Sequence, residues 1–125
     1  MMSGDLRHAS GRAWEQAASD LLAARGIEII TRGYRCRLGE LDIVGIDGAT
    51  LVVIEVRARA SGARGRALET VGPRKQRRIV NATRHFLMRH PAWFARPIRF
   101  DVVAVDGIDT AEPRIQWVKG AFQAG

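Results

Sequence analysis

Acidic side chains lie inside segments that otherwise read as buried strands, and they are the residues of this sequence best suited to chemistry. Glu40 and Asp42 flank the start of one apolar segment, and Glu55 lies within the apolar run 52–56. Burying an ionised carboxylate without a partner costs several kcal/mol or more. We therefore expect these acids to face a counter-charge or a metal ion.

Clustered carboxylates are typical ligands of Mg²⁺, a hard cation that keeps waters and accepts phosphate oxygens. Such a metal activates a water and neutralises charge on a phosphodiester. Arg57 shares a strand face with Glu55 and would hold the phosphate, although it stays protonated and cannot accept a proton. The alternative is structural, namely an ion pair of Arg57 with Glu55 or with Glu40.

The elements that must position these acids follow from hydrophobic periodicity and turn signals. We predict helices at residues 10–25 and from Pro73 to just before Pro91, and strands at 27–34, 41–46, 51–58, 98–105 and 115–118. The strand at 51–58 is apolar on both faces, so it should be central and covered twice. The order predicts one α/β domain over residues 1–125, a mixed sheet flanked by helices, with 1–9 as a loose N-terminal segment.

The hairpin between the two acidic strands decides whether the carboxylates meet. A two-residue turn at Asp47-Gly48 would oppose Glu40 to Glu55, with Asp42 diagonal to Glu55. A four-residue loop, 47–50, would oppose Asp42 to Glu55 instead. A three-residue loop without a bulge would split the acids between the two faces.

Charge points to a polyanion as partner. The chain has 125 residues, 20 Lys+Arg against 13 Asp+Glu, and a formal net charge of +7. Residues 56–100 hold twelve of the basic residues and one acid, Glu69. A basic block of this kind is typical of nucleic-acid binding. The alternative is a solvated arginine-rich face with no ligand.

Other classes of protein are disfavoured. The single cysteine, Cys36, excludes an intrachain disulfide and fits a reducing cytosol. No zinc-binding spacing, secretory signal or apolar run long enough to span a bilayer is present. We expect a cytoplasmic protein without a membrane partner.

Five blocks of residues, in order along nearly the whole chain, resemble the YraN-like family of predicted endonucleases. They are Gly11-x-x-x-Glu15-x-x-Ala18, then 34–44 (YRCRLGELDIV), 53–59 (VIEVRAR), 73–76 (PRKQ) and 99–103 (RFDVV). The resemblance implies a restriction-endonuclease-like αβββαβ core of the PD-(D/E)XK superfamily, close to Holliday junction resolvases, with Mg²⁺ or Mn²⁺ as cofactor.

By position, the resemblance makes Asp42 and Glu55 the metal-binding acids. Glu15 becomes an acid of the first helix that reaches the same cation directly or through water. Arg57 takes the place of the superfamily's lysine, where this family uses Lys or Arg.

Further residues would support the site or bind the polymer. Gln76 would bond a site carboxylate or water, or else cap the second helix, and Asp101 would pair with an arginine such as Arg35 or Arg59. The predicted nucleic-acid contacts come from the loop after the third strand and from the start of the second helix, where side chains and backbone amides meet phosphates: Arg59, Arg64, Arg66, Arg74, Lys75, Arg77 and Arg78.

The sequence thus predicts a Mg²⁺-dependent endonuclease acting on DNA, with branched DNA as one candidate substrate. Symmetric cutting of two strands would call for a twofold homodimer. The first alternative is a non-catalytic nucleic-acid-binding domain on a nuclease fold. The second is a small protein-interaction domain whose arginines meet an acidic partner.

Overall fold

The computed structural model describes the backbone of residues 3–63 and 65–124, and the side chains of 13–63 and 65–124. The helices are α1 (Ser3–Ala24) and α2 (Pro73–Arg89), with short 3₁₀ helices at Ala67–Thr70 and Pro91–Trp93. The strands are β1 (Glu28–Cys36), β2 (Gly39–Asp47), β3 (Thr50–Arg59), β4 (Ile98–Asp106) and β5 (Arg114–Phe122).

The described residues form one five-stranded mixed sheet in the order β1-β2-β3-β4-β5. Neighbouring strands are antiparallel except β3 and β4, which are parallel and joined through α2. The predicted α/β class and αβββαβ element order are confirmed. The strand predicted to be central is central, because its doubly apolar pattern requires cover on both faces.

The two helices cover opposite faces of the sheet. On the α2 side, the core includes Leu51, Val53, Ile79, Phe86 and Val102. On the α1 side, it includes Ala18, Leu22, Val52, Ile54 and Val103. Because side chains alternate along β3, the odd-numbered residues that continue this strand lie on the α2 side of the sheet.

Several boundaries differ from the predictions. The first helix begins at Ser3 rather than at residue 10, so the predicted segment 1–9 is helical from residue 3 onward, while Met1 and Met2 lie outside the described residues. The physical reason is that Leu6, Ala9 and Ala13 continue the helical spacing without a proline to stop it. The last strand is longer than predicted and ends at Phe122, which stacks on Phe100.

The hairpin adopts the register that opposes Asp42 to Glu55. Ile43 pairs with Ile54 and Asp47 with Thr50, so the turn itself is Gly48-Ala49. Gly48 has φ +62°, a conformation that favours glycine. The predicted register alternatives thus resolve to the four-residue one, but Asp47 and Thr50 also pair, which shortens the turn to two residues.

Regular alternation breaks in β2 beside Asp42. Leu41 joins the α2-side core and Ile43 the α1-side core, although two residues apart they should share a face. The paired register of β2 with β3 ends at the same point, at Ile43 and Ile54. The two strands therefore separate where Asp42 lies, and this separation makes room for side chains between them.

Among the described residues, no helix has both the length and the apolar character needed to cross a membrane.

Candidate active site

Asp42 and Glu55 meet where β2 and β3 separate. The Asp42 Oδ2 atom accepts a hydrogen bond of 2.8 Å from the backbone N–H of Val56. This bond takes the place of a ladder bond and aims the carboxylate at β3. The carboxyl groups of Asp42 and Glu55 lie within hydrogen-bonding reach of each other. The structure therefore brings together the two acids that the sequence singled out.

Glu55 is only 4% exposed although it is an acid. Burial raises the pKa of its carboxyl, and the negative charge and hydrogen bond of Asp42 raise it further, to about 8. Lys75 and Arg57 act in the opposite direction without cancelling these effects. At neutral pH, Glu55 therefore holds a proton that it can share with Asp42.

Burial also raises the pKa of Asp42, and the charge of Glu40 adds to this. The hydrogen bonds from Val56 and Glu55 and the charge of Lys75 favour the ionised form. Asp42 is consequently the acceptor of the pair and Glu55 the donor. Two carboxyl groups that share a proton are a recurrent sign of a functional site.

Lys75 enters this site from the first turn of α2. Its Nζ lies 3.5 Å from Glu55 Oε2, and its side chain is 33% exposed. Lys75 lies four residues before the buried Ile79, on the helix face that meets the sheet. The sequence reading placed Lys75 among the phosphate-binding residues of the surface, and the i,i+4 relation to Ile79 was the signal that could have moved it inward.

A close approach between β2 and α2 places this helix against the acidic strands. A Cβ atom at Gly39 would lie 3.1 Å from the carbonyl oxygen of Arg78. A side chain at this position would therefore require the backbone of α2 at Arg78 to shift by a few tenths of an ångström. The glycine at the start of β2 thus helps to bring the first turn of α2, with Lys75, to the acid pair.

Arg57 lies on the same face of β3 as Glu55, and its side chain is oriented by a residue of another element. Its Nη1 lies 3.4 Å from Glu55 Oε2, and its Nε donates a 2.7 Å hydrogen bond to the Thr70 hydroxyl. That hydroxyl donates in turn to the carbonyl of Ala67 at 2.6 Å. The helix Ala67–Thr70, absent from the sequence prediction, therefore fixes the guanidinium beside the acid pair.

Two predicted supporting residues have other partners. Glu40 forms a cross-strand ion pair with Arg35 (2.9 Å) and lies near enough to Asp42 to affect its pKa. Of the two ion pairs predicted as the structural alternative, that of Arg57 with Glu55 forms at 3.4 Å, whereas Glu40 pairs with Arg35 and not with Arg57. The Gln76 amide nitrogen donates to the carbonyl of Val71 at 2.9 Å, so this side chain caps the start of α2, one of the two roles weighed for it.

Glu15 is half-buried on α1, which covers the other face of the sheet. Among the side chains that the structure describes, no three His, Cys, Asp or Glu residues form a group able to hold a metal ion. Asp42 and Glu55 are therefore a pair, and the structure does not bring Glu15 to them as the third member of such a cluster. Its link to the site through water stays a prediction.

The remaining basic residues surround the start of α2 and the end of β3. Arg59 is half-buried at the end of β3, and Arg64 lies outside the described residues. The others are exposed, on the residue before the helix Ala67–Thr70 and on the first turns of α2: Arg66, Arg74, Arg77 and Arg78. The first turn of α2 contains no acid, so its positive end faces the solvent beside the acid pair without local neutralisation.

The donor set suits Mg²⁺ or Mn²⁺. Asp42 and Glu55 offer carboxylate oxygens, the ligand type that these cations prefer, and one or two protein carboxylates are usual where waters and phosphate oxygens complete the shell. Burial raises the pKa of Glu55 most and the charge of Asp42 raises it further, and a divalent cation between the two carboxylates would favour their ionised forms. The residues present therefore fit a divalent cation.

Comparison with known proteins identifies relatives over most of the chain. The model of a family described as "Uncharacterised protein family UPF0102" matches residues 14–105. A UPF0102 protein of Pseudomonas putida (strain GB-1) is 42% identical over 114 residues, which cover 91% of this chain and 93% of the relative. One of Pseudomonas fluorescens is 39% identical over 124 residues, 99% of this chain and 100% of the relative. The matches support the resemblance at the level of the family.

Proposed function

The chain belongs to the uncharacterised protein family UPF0102, and we propose that it is a Mg²⁺-dependent endonuclease that hydrolyses phosphodiester bonds in DNA. One observation carries the proposal. The carboxyl groups of the half-buried Asp42 and the buried Glu55 meet beside Arg57 and Lys75, so oxygen ligands for a cation lie next to groups that bind phosphate.

Each residue has a role in this proposal. Asp42 and Glu55 hold the cation, and a bound Mg²⁺ would supply water activation and neutralisation of the charge that develops on the phosphate. Arg57 is held in place by Thr70 and donates hydrogen bonds to the scissile phosphate. The Val56 amide keeps the Asp42 carboxylate aimed at the cation.

The polymer is held through its backbone. The exposed arginines at the start of α2 and before the helix Ala67–Thr70 form a basic surface beside the acid pair. The sequence contains no base-reading motif, so we expect recognition by shape and charge, with branched DNA as a candidate substrate. Symmetric cutting of a junction would require a homodimer, which sedimentation of the protein with and without a four-way junction tests.

A cleavage assay tests the proposal. The full chain is incubated with single-stranded, duplex and four-way DNA in Mg²⁺, in Mn²⁺ or with a chelator. We expect cleavage that requires the metal and that falls at least about a hundredfold in Asp42→Asn and Glu55→Gln. Glu112→Gln, which removes a charge from an exposed loop residue, is the matched control and should cleave like the wild type.

Two results would overturn the proposal. One is an absence of cleavage on all three substrates under conditions where the folded protein binds DNA. The other is cleavage that survives both acid substitutions, which would assign the activity to another site or to a contaminant.

A non-catalytic nucleic-acid-binding domain is the second candidate, and one observation favours it. Lys75 and Arg57 both lie within 3.5 Å of the same Glu55 oxygen, so cations of the chain already offset part of the acidic charge. Such a domain would bind DNA with an affinity that falls steeply with salt, without any response to chelator. An acidic protein partner would instead leave no measurable affinity for DNA.

A further inference from the structure

The two cations of the site contact the same carboxylate oxygen but are not equivalent. Arg57 is fixed, because Thr70 accepts from its Nε at 2.7 Å and is itself bonded to the Ala67 carbonyl. Lys75 reaches Glu55 Oε2 at 3.5 Å from a different element, at the end of a flexible four-carbon stem. The guanidinium of Arg57 is therefore fixed, whereas the ammonium of Lys75 is able to move.

We propose that Lys75 is a catalytic residue that exchanges partners: its ammonium contacts the Glu55 carboxyl group in the metal-free site and binds the scissile phosphate once a divalent cation occupies the acid pair. This inference rests on the proposed function.

Competition for the Glu55 carboxyl group drives the exchange. A divalent cation held by Asp42 and Glu55 would lie close to the ammonium that contacts Glu55, and two positive charges so close repel each other. The ammonium must therefore leave when the cation arrives. A phosphate placed beside the metal offers a new anionic partner within reach of the same side chain, which keeps its three donors.

The exchange couples the metal to the DNA. Without DNA, the displaced ammonium loses its partner and still repels the cation, so Lys75 weakens metal binding. With DNA, the ammonium gains the phosphate, and this cost is removed. By linkage, DNA should tighten metal binding and the metal should tighten DNA binding by the same factor.

The experiment compares Lys75→Met with Lys119→Met, since these are the two lysines of the sequence and the change is the same. Lys119 lies on β5, over the ring of Trp117 and outside the proposed site. Mn²⁺ affinity is measured by the electron paramagnetic resonance of free Mn²⁺, with no DNA present. Single-turnover cleavage of the best DNA substrate is measured in parallel.

We expect effects of opposite sign from Lys75→Met. Mn²⁺ should bind about fivefold more tightly because the competing ammonium is gone. Cleavage at saturating metal should slow about a hundredfold, because a donor to the phosphate is lost. Lys119→Met should match the wild type in both measurements. A lysine with only a structural role would lower metal affinity and cleavage together.

Each contrary result overturns one part of the proposal. Mn²⁺ affinity that is unchanged or weaker in Lys75→Met removes the competition, and wild-type cleavage removes the catalytic role. If the wild type cleaves no DNA while Lys75→Met still binds Mn²⁺ more tightly, the proposed function fails and the competition stands.

Lys75→Arg keeps the proposal falsifiable if Lys75→Met does not fold, as judged by circular dichroism. This variant retains the charge, so its Mn²⁺ affinity should stay within about twofold of the wild type. Its planar guanidinium cannot follow the same path, so cleavage should slow at least about tenfold. Unchanged cleavage in Lys75→Arg would overturn the specific role of a mobile lysine.

Discussion

Two buried acids on adjacent strands differ in how fully their charge is balanced. Asp101 on β4 is completely buried. Its carboxylate accepts four hydrogen bonds, from Arg99 Nε at 2.9 Å, Arg99 Nη2 at 3.0 Å, Trp117 Nε1 at 2.9 Å and Gly120 N at 2.9 Å. The partner is an arginine of the same strand, so the expectation of Arg35 or Arg59 was wrong.

Glu55 on β3 is buried almost as deeply, yet its neighbours balance it poorly. Its cations lie at 3.4 and 3.5 Å, and the group that hydrogen-bonds to it is another acid, Asp42. Burial of an acid is therefore not a sign of function by itself. A buried acid whose charge and hydrogen bonds are fully balanced has a structural role, whereas one whose charge is only partly balanced is a candidate for ligand binding.

The largest effect should come from disturbing the balanced acid. Asp101→Asn puts an amide donor among four converging donors and leaves Arg99 with Asp47 as its charged partner. We expect the free energy of unfolding to fall by about 3 kcal/mol, measured by urea denaturation at pH 7.

Asp109→Asn is the control for this prediction. Asp109 is an exposed acid that accepts from the backbone and hydroxyl of Ser61. Its loss should move the urea midpoint by only a small fraction of the change in Asp101→Asn. Equal shifts for the two variants would remove the distinction between a buried balanced acid and a surface one.

The second effect has the opposite sign. The pKa of Glu55 is raised from 4.5 to about 8 in the folded chain, so its contribution to stability is fully present below pH 4.5 and is lost as pH rises through 8. Glu55→Gln keeps a donor for Asp42 and removes the charge. We expect this variant to be about 2 kcal/mol more stable than the wild type at pH 8.5, with no difference at pH 4.5.

Urea denaturation at the two pH values measures this difference. A variant less stable than the wild type at pH 8.5 would show that Lys75 and Arg57 balance the charge of Glu55 as fully as Arg99 balances Asp101. The contrast between the two strands would then disappear.

Sequence patterns predicted most of the frame around these acids. The apolar run of β3, with Glu55 inside it, was enough to predict a central strand and a buried acid. The register of the hairpin stayed open, since both even-length loops kept Asp42 near Glu55 whereas a three-residue loop would have split them, and the turn geometry at Gly48 decides between them.

Residues contributed by distant elements were harder to predict. Lys75 and Thr70 reach the site because the chain crosses over from β3 to α2. The spacing from Lys75 to Ile79 indicates the inner face of α2, but no local pattern shows which strand residues that face meets. Thr70 lies on a helix of four residues, too short for a periodic signal. The pairing of Asp101 with Arg99 was missed because the alternation of a strand shows that both side chains lie on one face but does not show that they bind each other.

The third prediction concerns the stabilisation that Mg²⁺ should give when it balances the charge of Glu55. Mg²⁺ at ten times its dissociation constant should stabilise the wild type by about 1.4 kcal/mol, seen as a rise in Tm. At a fixed Mg²⁺ concentration the rise should be larger at pH 8 than at pH 6, because Glu55 must lose its proton to bind the cation.

Two variants test where the cation binds. Glu55→Gln should abolish the Mg²⁺-dependent rise in Tm, while Glu112→Gln should retain it. A rise that persists in Glu55→Gln, or that is greater at pH 6 than at pH 8, would place the cation somewhere other than on this acid pair.

The smallest effect should come from replacing Thr70, whose hydroxyl orients Arg57 in the proposed site. Thr70→Val removes the oxygen that accepts from Arg57 Nε and donates to Ala67, which should cost about 1 kcal/mol. Thr110→Val is the matched control, because its hydroxyl donates to Gly107 in the same i−3 manner. Only Thr70→Val should also slow cleavage, by about tenfold, because Arg57 loses its fixed orientation. Arg99, in contrast, is held beside Asp101 by two carboxylates. Equal cleavage by the two valine variants would show that Glu55 alone orients Arg57.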